Sequence, residues 1–446
     1  MTPITKLVCV VGAVFGLAFA MRGAASGLAD QPPSQFGVDA PELARLGEFA
    51  VGVRTIELTE HTQTDVLAFD PATGKAPRRD RTLTVDIWYP ARATVMAQRE
   101  TYTATLPSEP PAPPAKFSVP GLAVRDARPA GGGYPLVIVS HGYSNATVAM
   151  TWITENLASK GYVVAAIRHE DPPITDPAGF PQPLLRRPLD IAFVANALPA
   201  SLAAEHLVDP ARVGLIGYSI GGYGVLTAAG GSLDPNGGAA RLVPGGLLMP
   251  YTAIGPLHDA VTVKNLRAVV AISPAGGGAL RAWGGDGLRT IQAPLLLIAG
   301  DHDLTVDYKS GARAIFDAAV NAERYLLTFE QAGHSIGLNP APEAMRQRLW
   351  DQDWFEDPVW SKERINAINA HFITAFLDTY LKGDQSRAAY LNVPGTESAA
   401  GEWPAEDHSA YSAMSPGTSG NTVWKGFQRK HSTGLSLLQA AAARTP

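Results

Sequence analysis

The sequence predicts an α/β protein: a mostly parallel, eight-stranded sheet with helices on both faces. Three observations lead there. From residue 136 onward six short runs are apolar without interruption, at 136–139, 162–167, 213–216, 268–272, 295–298 and 325–329, as in strands buried on both faces. Segments with helical periodicity separate or follow them, at 146–160, 189–204, 220–229, 308–320 and 364–381, and strand–helix alternation is how parallel strands are joined. The chain is also long enough for a large core, with 446 residues of which 46% are hydrophobic and 17% charged, the latter below the roughly 25% of an average soluble chain.

Taken in order, residues 1–6 form a short head with one positive charge, Lys6, and residues 7–20 an uninterrupted apolar run ending in Ala18-Phe19-Ala20. That run is shorter than the about 20 residues of a membrane span and ends in the A-x-A cleavage pattern. It reads as a signal peptide spanning 1–20, with an N-terminal anchor or a buried helix as the alternative. A secreted or periplasmic protein without stable membrane insertion after cleavage is expected. The only cysteine, Cys9, lies inside this run, so the mature chain offers no disulfide, thiol nucleophile or thiolate metal site. The formal net charge of −5 is spread without long runs, which excludes a basic nucleic-acid surface.

Residues 82–89 alternate Leu83, Val85, Ile87 and Tyr89, a half-buried strand, and 53–59 is expected to pair with it as an antiparallel edge. Residues 107–135, rich in proline and closing on Gly131-Gly132-Gly133, read as an extended connector. Asn145 suits the N-cap of the helix at 146–160 and Gly161 its stop. Residues 231–291 include two Gly- and Pro-rich insertions, 231–262 and 275–291, which read either as a lid or pocket wall or as ordinary loops. The catalytic domain is expected over 45–383. Residues 384–446 form a polar extension whose piece 424–438 folds back onto it.

The chemistry centres on Gly217-Tyr218-Ser219-Ile220-Gly221, followed by Gly222. This is G-x-S-x-G with a buried strand before it and a helix after it, the context of a nucleophile elbow. Side chains two positions either side of the serine would collide with the neighbouring strand or helix, hence the glycines. Ser219 is the candidate nucleophile. A serine hydroxyl needs a base, and the base an orienting carboxylate, in the chain order Ser, acid, His for this elbow. The run 295–298 leads into Gly300-Asp301-His302-Asp303, and 325–329 into Gly333-His334. Both loops leave strand C-terminal ends, where sites collect in open parallel sheets. His334 is the candidate base and Asp303 the acid; Asp301, directly after the strand's terminal glycine, suits a turn cap. The developing oxyanion needs backbone donors. Ile220 N–H is one, and Tyr143 N–H, in Ser140-His141-Gly142-Tyr143-Ser144, the other, with His141 tying that loop down. His169-Glu170-Asp171 invites a metal reading that no second ligand group supports. No cofactor and no metal are expected.

With these residues in view, the chain resembles the α/β-hydrolase superfamily, and within it the dienelactone-hydrolase-like and platelet-activating-factor-acetylhydrolase-like esterases. The resemblance covers roughly 50–383. It rests on Ile87-Trp88-Tyr89-Pro90, Ser140-His141-Gly142-Tyr143, Gly217-Tyr218-Ser219-Ile220-Gly221-Gly222, Gly300-x-x-Asp303 and Gly333-His334. It implies the α/β-hydrolase fold, a triad of Ser219, Asp303 and His334, and an oxyanion hole of Tyr143 and Ile220. Dienelactone hydrolases proper carry a cysteine where this chain has Ser219. The pieces are also similar to exported cutinases and polyester hydrolases, although the insertions here are longer.

The expected activity is hydrolysis of a small-molecule or polymeric carboxylic ester through an acyl-enzyme. Charges scattered thinly over 231–291 suggest a neutral or apolar ester. A serine peptidase or amidase with the same triad remains open, as does a non-catalytic binding protein, against which the intact Ser219, Asp303 and His334 weigh.

Overall fold

The computed structural model describes residues 31–93, 97–403 and 421–443, so the expected signal peptide at 1–20 lies outside the described residues. In chain order the strands are β1 (Ala50–Thr64), β2 (Arg78–Ala91), β3 (Thr101–Leu106), β4 (Ala115–Pro120), β5 (Val124–Arg125), β6 (Tyr134–Ser140), β7 (Val163–Arg168), β8 (Val208–Tyr218), β9 (Leu266–Ile272), β10 (Leu295–Gly300), β11 (Arg324–Phe329) and β12 (Leu435–Ala440). The helices are α1 (Thr151–Ser159), α2 (Pro181–Ser201), α3 (Ile220–Ala228), α4 (Gly238–Leu242), α5 (Ala314–Ala318), α6 (Leu349–Asp353) and α7 (Lys362–Tyr380).

Among the described residues one ten-stranded sheet runs β12-β11-β10-β9-β8-β6-β7-β2-β1-β5. From β7 through β6, β8, β9 and β10 to β11 the neighbours are parallel. β2 and β1 continue one side antiparallel, and β12 closes the other antiparallel to β11. This is the α/β-hydrolase fold. Side chains alternate between the two faces of the sheet along each strand. On β8, Ile216 and Tyr218 face the core that contains Trp152 of α1 and Phe372 of α7. Val213 and Leu215 face the core that contains Leu184 of α2 and Tyr223 of α3. Neither face meets water, which is why these strands read as unbroken apolar runs.

The sheet has ten strands rather than the expected eight because two short segments join its edges. β5 pairs with β1, and the tail returns as β12 along β11. Residues 107–135 are likewise more than a connector. β3 and β4 form a separate antiparallel hairpin, its prolines lying in the turn and beyond it. The hairpin is held by tertiary contacts invisible in a local pattern. Buried Glu155 of α1 accepts hydrogen bonds from Tyr102 Oη at 2.7 Å, from Ser34 Oγ at 2.7 Å and from the Leu122 amide at 2.8 Å.

Helix α2 begins eight residues earlier than its apolar periodicity predicts. Pro188 lies in its interior, where it leaves the carbonyl four residues back without a helical donor. Here the Tyr223 hydroxyl donates to the Leu184 carbonyl at 2.8 Å, so the helix runs on through the proline. The insertions at 231–262 and 275–291 pack Leu233, Val243, Tyr251 and Trp283 into the α2/α3 core. The opposite core extends past 45–383 at both ends, taking in Leu43 and Ala44 as well as Trp424, Phe427 and Leu435.

His371 of α7 joins these two ends. Its Nδ1 accepts from the Leu43 amide at 3.1 Å, and Phe372, Tyr390 and Phe427 surround the ring edge-on. Burial, helped by the charge of Lys160, lowers its pKa to about 3; burial and Arg187 take His141 to about 3 and His169 to about 4. All three fold as neutral imidazoles, whereas the unfolded chain protonates them near pH 6.5. The unfolded state therefore binds more protons below that pH, and stability, complete above it, declines on acidification. Calorimetry from pH 7 to pH 4 should show a falling Tm. His371→Gln, which keeps an acceptor for Leu43 but does not titrate, should fall less steeply.

Candidate active site

Ser219 occupies the one-residue turn between β8 and α3. Its backbone has φ +55° and ψ −117°, a sparsely populated conformation for a residue with a side chain, at a cost of about 1–3 kcal/mol. Close packing enforces it. A Cβ on Gly217 would lie 2.2 Å from the Gly221 carbonyl oxygen, and one on Gly221 would lie 2.1 Å from that of Ser140. Hydrogen bonds secure the turn: the Ser219 amide donates to Ile272 at 2.9 Å, and its carbonyl accepts from Ala275 at 2.9 Å and Tyr223 at 3.2 Å.

Asp303 and His334 follow β10 and β11, and His334 must reach back across the sheet to meet a serine that follows β8. The loop 333–339 makes that crossing by main-chain anchoring. Gly337 presses on Tyr218, where a Cβ would come within 2.5 Å of the ring. Its carbonyl accepts from Trp152 Nε1 at 2.9 Å, and Asn339 receives the Trp152 amide at 3.0 Å. Nearer the histidine, Asp357 accepts from the Gly333 amide at 2.7 Å, and Lys362 Nζ donates to the Ser335 carbonyl. Lys362 is 1% exposed; burial lowers its pKa to about 8 despite the carboxylates of Glu356, Asp357 and Glu363.

The result is a continuous chain of hydrogen bonds. His334 Nε2 lies 3.0 Å from Ser219 Oγ, and His334 Nδ1 lies 2.7 Å from Asp303 Oδ2. Asp303 also accepts from the amides of Thr305 at 2.9 Å and Val306 at 3.0 Å. Burial raises its pKa, but the His334 contact and these two amides outweigh that, and the net shift is below the ordinary carboxylate value. An ionised carboxylate can only accept, so the imidazole proton sits on Nδ1 and the Nε2 lone pair faces the serine. Asp301 is placed otherwise: it accepts from the Gln331 amide and contacts His302, both at 2.6 Å, and so shapes the approach to His334 without touching it.

Ile220 opens α3, where the first amides of a helix point outward without helical acceptors. The loop carrying Tyr143 runs beside Ser219: a Cβ on Gly142 would lie 3.0 Å from the Tyr218 ring and 3.7 Å from Ser219 Cβ. Among the described residues neither amide has a hydrogen-bond partner. The Tyr143 ring stands edge-on to Phe180 at 5.3 Å. Past this loop lies an open cleft of about 860 Å³, lined by Ser144, Asn145, Glu170 and the β3–β4 turn, with Ser219 outside its lining.

His169, Glu170 and Asp171 do not gather as ligands. His169 spans Ser140 Oγ at 2.9 Å and Asp190 at 3.1 Å, and Asp171 forms an ion pair with buried Arg187. Sequence reasoning missed Arg187, Asp357 and Lys362. The signal for Arg187 was a pair of arginines, Arg186-Arg187, at the start of an otherwise apolar helical face. Nothing local marks the other two.

Fold and geometry together describe an α/β-hydrolase with a serine-centred site. Residues 122–243 match the family described as PET hydrolase-like, a stretch holding Tyr143, Ser219 and Ile220 but neither Asp303 nor His334. Over 143 residues the chain is 34% identical to the cutinase est2 of Thermobifida alba, covering 30% of this chain and 45% of that protein. Over 97 residues it is 33% identical to the cutinase est1 of the same organism, covering 22% and 30%. The chain thus spans less than half the length of these relatives. A ferulic acid esterase from Streptomyces cinnamoneus superposes with a TM-score of 0.50 at 21% identity, over 77% of this chain and 94% of the other, a likeness of fold.

Asp303→Asn would present an amide to Nδ1 and favour the wrong imidazole tautomer. Labelling of Ser219 by a fluorophosphonate should slow by roughly 10³–10⁴-fold, as expected for a triad whose carboxylate is neutralised, with little change in Tm. Gly221→Ala must push α3 away from β6. It should lower stability by about 1–3 kcal/mol, read by denaturant unfolding, and abolish labelling.

Proposed function

We propose that this protein is a cofactor-free serine hydrolase of carboxylic esters. The observation that carries the reading is the hydrogen-bonded chain Ser219–His334–Asp303, at 3.0 and 2.7 Å, with the serine held at φ +55° at the head of a helix. Similarity to PET hydrolases over the stretch bearing Ser219, and to a cutinase over 143 residues, favours esters over amides.

In this reading Ser219 Oγ attacks the ester carbonyl while His334 Nε2 takes its proton. Asp303 holds the ring and stabilises the imidazolium. The Ile220 and Tyr143 amides receive the oxyanion. Collapse of the tetrahedral species expels the alcohol, which takes the proton from His334, and water then cleaves the acyl-enzyme by the reverse sequence. Leu304, directly after Asp303, is 97% exposed and gives the site's rim an apolar contact, in keeping with a neutral small-molecule or polymeric ester. Among the described residues no helix is long and apolar enough to cross a membrane. The apolar segment at 7–20, ending in Ala18-Phe19-Ala20, supports export to the periplasm or medium.

A p-nitrophenyl ester series from acetate to long acyl chains tests the reading. Hydrolysis should fall by roughly 10³-fold or more in Ser219→Ala. Folded protein that cleaves none of these esters, or cleaves p-nitroanilides in preference, would overturn it.

A further inference from the structure

We propose that Arg187 and His141 are positioning residues that aim the Tyr143 amide into the oxyanion hole, with Asp171 locking the loop from its other side. The inference rests on the esterase reading for its purpose and on main-chain geometry for its content.

Arg187 lies on α2 with its side chain wholly inside the protein. Its guanidinium donates to the His141 carbonyl, to the Gly142 carbonyl at 3.1 Å and to Ser140 Oγ at 3.2 Å. His141, itself buried, adds Nδ1 to the Gly142 carbonyl at 2.7 Å. On the far side of Tyr143, the Ser144 amide donates to Asp171 Oδ2 at 2.9 Å, and the same carboxylate pairs with Arg187. The loop is therefore held on both sides of Tyr143 by one buried ion pair.

The consequence follows from peptide planarity. The Gly142 carbonyl and the Tyr143 N–H belong to one trans peptide unit and point in opposite directions. Two donors draw the Gly142 oxygen toward α2 and the His141 ring, so the Tyr143 N–H is turned to the opposite side of the loop. A rotation of this peptide would have to break both hydrogen bonds and leave a buried guanidinium short of acceptors, which is costly. The planar fork of arginine suits the task, because it reaches two successive carbonyls and a carboxylate at once. His169, bonded to the same Ser140 hydroxyl, backs the loop from β7. The His169-Glu170-Asp171 run thus supports the oxyanion loop instead of holding a metal.

The test compares Arg187→Lys and His141→Leu with the wild type on an ester and on its thionoester, whose sulfur anion gains little from an oxyanion hole. Both variants should lower kcat for the ester about 10- to 100-fold, less than the roughly 10²–10³-fold of a donor removed outright, with KM nearly unchanged. They should also shrink the ester-to-thionoester rate ratio and leave the midpoint of the pH–rate profile in place. A folded variant with equal losses on both substrates, or with no loss, would overturn the proposal. Hydrogen exchange over residues 140–145 gives a readout free of catalysis. It should quicken in Arg187→Lys, and unchanged exchange overturns the clamp even if the protein hydrolyses no ester. Inactive wild type with quickened exchange in the variant would instead strike only the esterase reading.

Discussion

Two main-chain segments meet without a side chain between them at Gly217 and Gly221, and the geometry around Ser219 depends on that contact. With β8, β6 and the first turn of α3 closer together than any Cβ permits, the residue between strand and helix has no room to continue either. It takes a positive φ, and its hydroxyl stands clear of the sheet. The strain is local, and the two buried cores on either side of the sheet supply the stability that sustains it.

The parallel sheet brings the remaining groups only part of the way. Asp303 and His334 leave adjacent strands, but the histidine must cross back over β9 and β10 to meet Ser219. Irregular backbone buried on such a path needs partners for its polar groups. The protein meets that demand with groups from outside the loop: Trp152 in the first turn of α1, whose amide also bonds to the loop's own Asn339, Asp357 before α7, and Lys362 in its first turn.

Arg187 and Lys362 follow the same logic on opposite sides of the site. Each is a fully buried cation directed at main-chain carbonyls of a loop that bears a candidate site residue. A buried charge is expensive unless hydrogen-bonded, so neither loop can drift without exposing that cost. Arg187 has a carboxylate in direct contact and three further acceptors. Lys362 has only carboxylates at longer range, and burial lowers its pKa despite them. The rigidity of the site thus comes from ions placed where water cannot replace their partners.

Much of this was legible in the sequence because the determinants are local. Unbroken apolar runs encode strands buried on both faces, and the glycines flanking Ser219 encode an elbow that tolerates no side chain. Positions in the loops after strand C-terminal ends put Asp303 and His334 on the same edge of the sheet as Ser219. Asp303 and Asp301 could be ranked, but only the structure showed which carboxylate touches the imidazole, since a two-residue difference in a loop becomes a direction only once the chain is folded. The β3–β4 hairpin, β5 and β12 escaped the pattern because each is short and is stabilised by a partner distant in sequence. Arg187 escaped for the same reason: its role lies in carbonyls some 45 residues away. Periodicity and turn chemistry therefore determined the sheet, the elbow and the candidate reacting groups. The tertiary structure alone decided how those groups are held, because buried hydrogen bonds join residues that no spacing relates.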